Sequence, residues 1–169
     1  MSSSSPITAF MTADHERLDA LLRSAGAHPE GVSLPLFEAF RGGLLRHIGM
    51  EEKLLLPAAR KARGGESLAI AARRRIEHSA IASLLVPTPT PMLLRELTEL
   101  LTHHNLLEEG EHAMYAECDA LLAPEVDAIL ARLRAAPAVP LAPHFDGDGT
   151  HRTAREALSA AAQKKPRRR

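Results

Sequence analysis

Three observations predict an all-α protein built on a four-helix bundle. Apolar residues recur at helical spacing in four long stretches, and no stretch carries the alternation of a half-buried strand. Ala and Leu dominate, while Trp is absent, Tyr occurs once and Phe four times, a composition that favours helix over sheet. A length of 169 residues at 45% hydrophobic content supports one domain with a sizeable core.

The first helix is expected from about Pro6 to Ser24, with Ser5 as N-cap, Pro6 in the first turn and Ile7, Met11, His15, Leu18 and Leu22 on one stripe. Gly26, Pro29 and Gly31 then make a loop. Ser33 caps a second helix whose Phe37, Phe40, Leu44, His47, Glu51 and Leu54 repeat at three and four, and the pattern weakens between Pro57 and Gly64. Gly42 and Gly43 inside it imply a bend or a close helix contact. A third helix, Glu66 to Leu85, places Ala71, His78, Ile81 and Leu85 on a common face, and Val86-Pro-Thr-Pro-Thr-Pro91 stops it. Thr90 and Pro91 start a fourth helix that can run to Leu122 with Leu97, Leu101, His104, Glu108 and Tyr115 along one side. It would be about 45 Å long unless Gly110 bends it. Pro124 opens a shorter fifth helix, Glu125 to Ala136, with Val126, Ile129, Leu130 and Leu133 as its apolar side. The expected division is a bundle over residues 1–136 and a Pro/Gly-containing basic tail over 137–169, partly disordered, in which Thr153-x-x-Glu156 caps one short helix.

Lys+Arg and Asp+Glu both number 21, so the chain carries no net field to gather nucleic acid or an anionic membrane. The terminal run Lys164-Lys-Pro-Arg-Arg-Arg169 reads as a solvated basic end. A single cysteine, Cys118, rules out an internal disulfide or a thiolate metal cage and reads as a small buried residue. Met1-Ser-Ser-Ser-Ser-Pro6 has no signal-peptide pattern, and no run of 18 apolar residues occurs. A cytoplasmic location without membrane association is expected.

The chemistry lies in where histidines fall on the apolar stripes. His15, His47, His78 and His104 each replace an apolar residue on the core side of a different helix, and Glu51 and Glu108 follow the second and fourth of these by one turn. Residues i and i+4 share a helix face, so each His-x-x-x-Glu pair aims an imidazole and a carboxylate at one point. One histidine on an apolar face is ordinarily a hydrogen-bonded core residue; the joint pattern over four helices is not. Buried glutamates need opposite charge, and Arg74 is the only cationic candidate on these stripes. Two divalent ions satisfy the balance, and nitrogen with bridging carboxylate oxygen suits iron, manganese or zinc, with iron favoured where positions stay open. The ferritin-like pattern of two Glu-x-x-His motifs is met only once, by Glu109-x-x-His112, and His-Glu-x-x-His is absent.

These residues resemble the hemerythrin-like, HHE cation-binding family, whose up-down four-helix bundle holds a non-haem di-iron centre. The resemblance rests on Asp14-His15-Glu-Arg-Leu18, His47-Ile-Gly-Met-Glu51-Glu52-Lys-Leu-Leu-Leu-Pro57, Glu77-His78-Ser-Ala-Ile81 and His104-Asn-Leu-Leu-Glu108-Glu109, and spans roughly Ala9 to Leu122. It implies two iron ions, oxo- or hydroxo-bridged, with His15, His47, His78 and His104 as terminal ligands and Glu51 and Glu108 as bridges. Ala82, one turn after His78, stands where oxygen carriers have a fifth histidine, and Gly110-Glu-His-Ala-Met-Tyr115 replaces the aromatic and proline that often follow in the family. On these residues the resemblance is closer to the bacterial members of the family linked to repair of damaged iron centres.

His112 and Tyr115 are left as a further ligand or as outer-sphere groups, and His103 is placed at the surface, about 100° round the helix from His104. Asp14, Asp19 and Glu77 are assigned solvated positions, and Asp146-Gly-Asp-Gly149 lacks the closing acid of a calcium loop. No separate catalytic residue is assigned. The function expected is binding of, or reaction with, O2, NO or peroxide, in sensing, storage or stress response, by a metal- and gas-binding protein more than a dedicated enzyme. Iron donation to a protein partner, or a structural bundle with a degenerate site, is the alternative; a redox or iron-accepting partner is expected, nucleic acid is not.

Overall fold

A computed structural model describes residues 5–164, which are helical throughout their ordered elements and contain no strand. Met1–Ser4 and most of the basic run, from Lys165 onward, lie outside the described residues. The helices are α1 (Pro6–Gly26), α2 (Leu34–Met50), α3 (Leu56–Ala62), α4 (Ala71–Leu84), α5 (Pro91–Glu109), α6 (Met114–Leu122), α7 (Val126–Arg134) and α8 (Ala154–Gln163). Among these residues no helix is long and apolar enough to cross a membrane.

Two apolar clusters are stacked along the bundle. One gathers Leu18 and Leu22 of α1, Phe37, Phe40 and Leu44 of α2, Ile81 and Leu84 of α4, and Leu93, Leu97 and Leu100 of α5. The other gathers Ile7 and Met11 of α1, Met50 beyond His47 on α2, Ala71 of α4, Met114, Tyr115 and Cys118 of α6, and Ile129 and Leu133 of α7. The four core histidines lie between the clusters, each on a helix that contributes to both sides of that layer or to its immediate continuation.

Several helix ends differ from the sequence expectation. Ser5 makes no side-chain cap. The N–H groups of Ile7 and Thr8 donate instead to the Asp119 carboxylate of α6, at 2.8 and 3.0 Å, so the orphan donors of α1 are satisfied from another helix. Thr90 caps α5 as expected, accepting from Leu93 N–H at 3.1 Å. The second helix does not fade at Pro57: a π-helical turn, Glu51–Leu55, widens it just before the proline and α3 continues to Ala62. The missing N–H and the ring of a proline interrupt the hydrogen bond to the carbonyl four residues back, a disturbance a π turn accommodates. The third helix starts at Ala71, not Glu66, after Gly64 and Gly65 with φ of 69° and 103°.

Close contact, not a bend, explains Gly43: a Cβ there would lie 2.7 Å from Leu18 Cδ2 of α1. The fourth helix breaks at Gly110, where ψ is 165°, and α6 begins after a turn closed by Ala113 N–H to Gly110 O at 2.9 Å. The fifth is shorter than expected, Val126–Arg134 preceded by a 3-10 turn. Beyond it the chain crosses back over the bundle. Arg41 donates to Ala142 O at 2.8 Å, His144 pairs with Glu38 at 2.6 Å, and Asp146 accepts from Thr88 N–H and hydroxyl. Thr153 caps α8 through Glu156 N–H, and α8 packs against α4 with Ala157 and Ala161 joining the first apolar cluster.

Candidate metal centre

Four helices bring the six expected donors into one buried layer. His15 comes from α1, His47 from α2 with Glu51 at its π turn, His78 from α4, and His104 with Glu108 from α5. Glu51 and Glu108 are fully buried and none of these four histidines is more than 6% exposed. The donor atoms form two groups, His15–His47–Glu51–Glu108 and Glu51–His78–His104–Glu108, each with its atoms within 4.8 Å of one another.

The two glutamates divide their oxygens between the groups. Glu51 turns Oε1 to His47 Nε2 at 3.5 Å and Oε2 to His78 Nε2 at 3.0 Å. Glu108 turns Oε2 to His15 Nε2 at 3.5 Å and Oε1 to His104 Nε2 at 3.0 Å. Glu51 Oε2 and His78 Nε2 are close yet misaligned, and both are buried without a hydrogen-bond partner. Lone pairs converging on a point without satisfying one another suit a cation between them, so the residues fit a bound metal.

On its outer side each imidazole meets a carboxylate through Nδ1. His15 meets Glu109 at 2.5 Å, His47 meets Asp14 at 2.8 Å, His78 meets Glu52 at 2.7 Å and His104 meets Glu77 at 2.7 Å. An Nδ1–H given to a carboxylate fixes the ring and its tautomer and leaves the Nε2 lone pair for the interior. The pattern repeats in the two halves of the chain. The acid before the first histidine of each half, Asp14 or Glu77, holds the second histidine of that half, and the acid after each inward glutamate, Glu52 or Glu109, holds the first histidine of the opposite half.

Sequence reasoning placed Asp14 and Glu77 in solvent, and the structure corrects both. Asp19 does lie at the surface, paired only with Arg23 at 2.9 Å. Each residue step along a helix turns the side chain by about 100°, which points a residue next to a core histidine away from it and toward the adjacent helix. The doublets Asp14-His15, Glu77-His78, Glu51-Glu52 and Glu108-Glu109 were the available signal. Arg74 is wholly buried beside this layer; it pairs with Glu77 and reaches Glu108 Oε1 at 3.4 Å.

Of the additional candidates, Tyr115 joins the layer and His112 does not. His112 is exposed in the turn between α5 and α6, and His103 is exposed on α5, facing Arg73. The Tyr115 hydroxyl donates to Glu51 Oε1 and lies 3.2 Å from Glu108 Oε2. Cys118 is buried, with its thiol pushed up to about 12 by burial. Asp146, the first acid of the Asp-Gly-Asp-Gly run, is engaged by Thr88 and Arg152.

Without metal, the surrounding carboxylates favour the charged form of three of the four imidazoles. Burial would push the His47 imidazole down, but Glu51 and Asp14 outweigh it and hold it at about 10. Burial likewise opposes protonation of His78, yet Glu51 and Glu52 hold it at about 9, and His104 is raised by Glu108 and Glu77. His15 is pushed down by burial and by the charge on His47. Glu51 is held well below the usual carboxylate range against its burial by His47 and His78.

An all-helical fold with this donor layer defines a His/carboxylate cation-binding helical domain. The model of the hemerythrin family, described as the hemerythrin HHE cation binding domain, matches residues 7–116. The chain belongs to that family. No curated protein and no solved structure matches the chain. Residues 117–164, which include Asp119, α7 and α8, lie beyond the matched segment.

Proposed function

We propose that this is a non-haem di-iron protein that binds or reacts with a small diatomic, O2 or NO, or with peroxide, in sensing, storage or stress response. The observation that carries the reading is the division of the Glu51 and Glu108 oxygens between the two histidine pairs. His15 and His47 would hold one ion, His78 and His104 the other, and both glutamates would serve both. The order in which α1, α2, α4 and α5 traverse the two apolar clusters supports an up-down four-helix arrangement. Iron held by these residues would supply one-electron redox chemistry and room for an external ligand.

The chain's own residues do the remaining work. Asp14, Glu52, Glu77 and Glu109 hold the imidazoles with Nε2 inward. The apolar clusters above and below exclude water, which strengthens electrostatic interactions inside. Around the layer six carboxylates face one fully buried guanidinium, Arg74, while Arg17, Arg73 and Arg75 reach the outer acids only from the exposed side. That excess of negative charge favours two divalent ions over an uncharged occupant. A cavity of about 310 Å³ between α1, α2 and α5 has His15 and Glu109 in its wall and gives a small molecule an approach to the layer.

The test is anaerobic titration of reduced, iron-loaded protein with NO and with O2. The reading expects stoichiometric consumption per chain that is abolished in Glu51→Ala and Glu108→Ala. Iron-loaded protein that consumes neither, nor peroxide, refutes it.

A further inference from the structure

Tyr115 is fully buried and is the only tyrosine in the chain. Its hydroxyl contacts Glu51 Oε1 and lies 3.2 Å from Glu108 Oε2, 3.2 Å from His15 Nε2 and 3.2 Å from His47 Nε2. Those four atoms are the inward donors of one group and of that group alone; no contact links the hydroxyl to His78 or His104. An ordinary core tyrosine satisfies its hydroxyl with one or two partners. Here the oxygen sits at the convergence of a donor set.

The placement is built by the chain. Glu108 and Tyr115 are seven residues apart, which in an unbroken helix separates them by about 10 Å along the axis. The break at Gly110 turns α6 back so that the phenol reaches the layer it would otherwise overshoot. One turn after Tyr115, Asp119 holds α6 to the first turn of α1 through Ile7 N–H, Thr8 N–H and the Thr8 hydroxyl. The phenol is thereby fixed relative to the helix that carries His15.

We infer that Tyr115 is a fifth protein donor to the ion held by His15, His47, Glu51 and Glu108, which makes the two metal positions unequal. The inference rests on the di-iron reading above. On ligation the phenol O–H bond breaks, an O–metal bond forms and the proton is released to solvent, while Glu51 Oε1 gives up the hydrogen it accepts in the metal-free protein. The position of His78 and His104 keeps four protein donors.

The test is the visible and resonance Raman spectrum of the full chain, loaded anaerobically with Fe(II), oxidised in air and assayed for iron. Phenolate bound to Fe(III) gives a charge-transfer band with enhanced tyrosine ring modes, and with a single tyrosine any such signal belongs to residue 115. Growth on ring-deuterated tyrosine shifts those modes in the wild-type protein, so the result does not depend on a variant that folds. Tyr115→Phe is expected to abolish band and modes at two irons per chain. Two irons per chain without tyrosinate modes overturns the inference and leaves the di-iron reading standing; absence of bound iron overturns both.

Discussion

Asp14 tests whether the outer carboxylates hold the donor layer, since it touches no inward donor atom and acts only through His47 Nδ1, at 2.8 Å. Asp14→Asn keeps the shape of the side chain and removes its charge. Loss of such an outer partner weakens metal affinity by about 10–100-fold, or about 1.4–2.8 kcal/mol at 1.4 kcal/mol per tenfold. The same amount is lost from the stabilisation conferred by bound metal. At about 2–4 °C per kcal/mol for a chain of this size, Tm of the loaded protein falls by about 3–11 °C. Chelator competition measures the affinity and calorimetry the Tm. Asp19→Asn is the control, since Asp19 lies on the same helix and pairs only with exposed Arg23. If Asp14→Asn binds metal within twofold of wild type while Asp19→Asn behaves identically, the outer carboxylates do not hold the layer as argued.

Asp119→Ala uncovers two N–H groups at the start of α1 and is expected to cost about 1 kcal/mol, or about 2–4 °C in Tm, whereas Ser5→Ala changes Tm little; equal effects would refute capping from α6. For the metal-free protein, His47 at about 10 and His78 at about 9 lie above their ordinary 6.5. Their contribution to stability is therefore complete below pH 6.5 and lost as pH rises through 9 and 10, while Glu77, lowered from 4.5 to about 2, contributes above 4.5 and fails as pH falls through 2. Thermal melts in chelator should show Tm highest between those limits and falling toward pH 10; a Tm that is flat from 6.5 to 10 contradicts the assignment. His104→Ala should lose metal and His103→Ala and His112→Ala should retain it, by metal analysis after desalting, because only His104 of the three is buried in the layer.

The helix faces were legible because they obey a single helical period: Met11, His15 and Leu18 repeat at four and three whatever the neighbours do, although on α5 the buried leucine is Leu100 and not the expected Leu101. What escaped depends on two helices at once. Asp14 and Glu77 look solvated on their own helices and become buried or half-buried partners only when α2 and α5 pack beside them. The cap on α1 comes from Asp119, more than a hundred residues away, so no local signal near Ser5 reveals it. Gly110 marked the one place where the long fourth helix was open to a break, but not the direction of the turn. That direction brings Tyr115 to the layer and leaves His112 in solvent, although both lie at helical spacing from Glu108. The residues after Pro137 read as tail from composition, and α8 is held by small residues, Ala157 and Ala161, that carry little hydrophobic pattern of their own.

The central claim is that Glu51 and Glu108 serve two ions at once, and its most direct test is the number of metal ions per chain. Wild-type protein and Glu51→Ala, loaded anaerobically with Fe(II), desalted and assayed by plasma emission against protein concentration, should give two ions per chain and none or a small fraction of one, respectively. The far-ultraviolet circular dichroism of the two should agree, so that the loss is not one of fold. One ion per wild-type chain, or a folded Glu51→Ala that keeps two, would contradict the account.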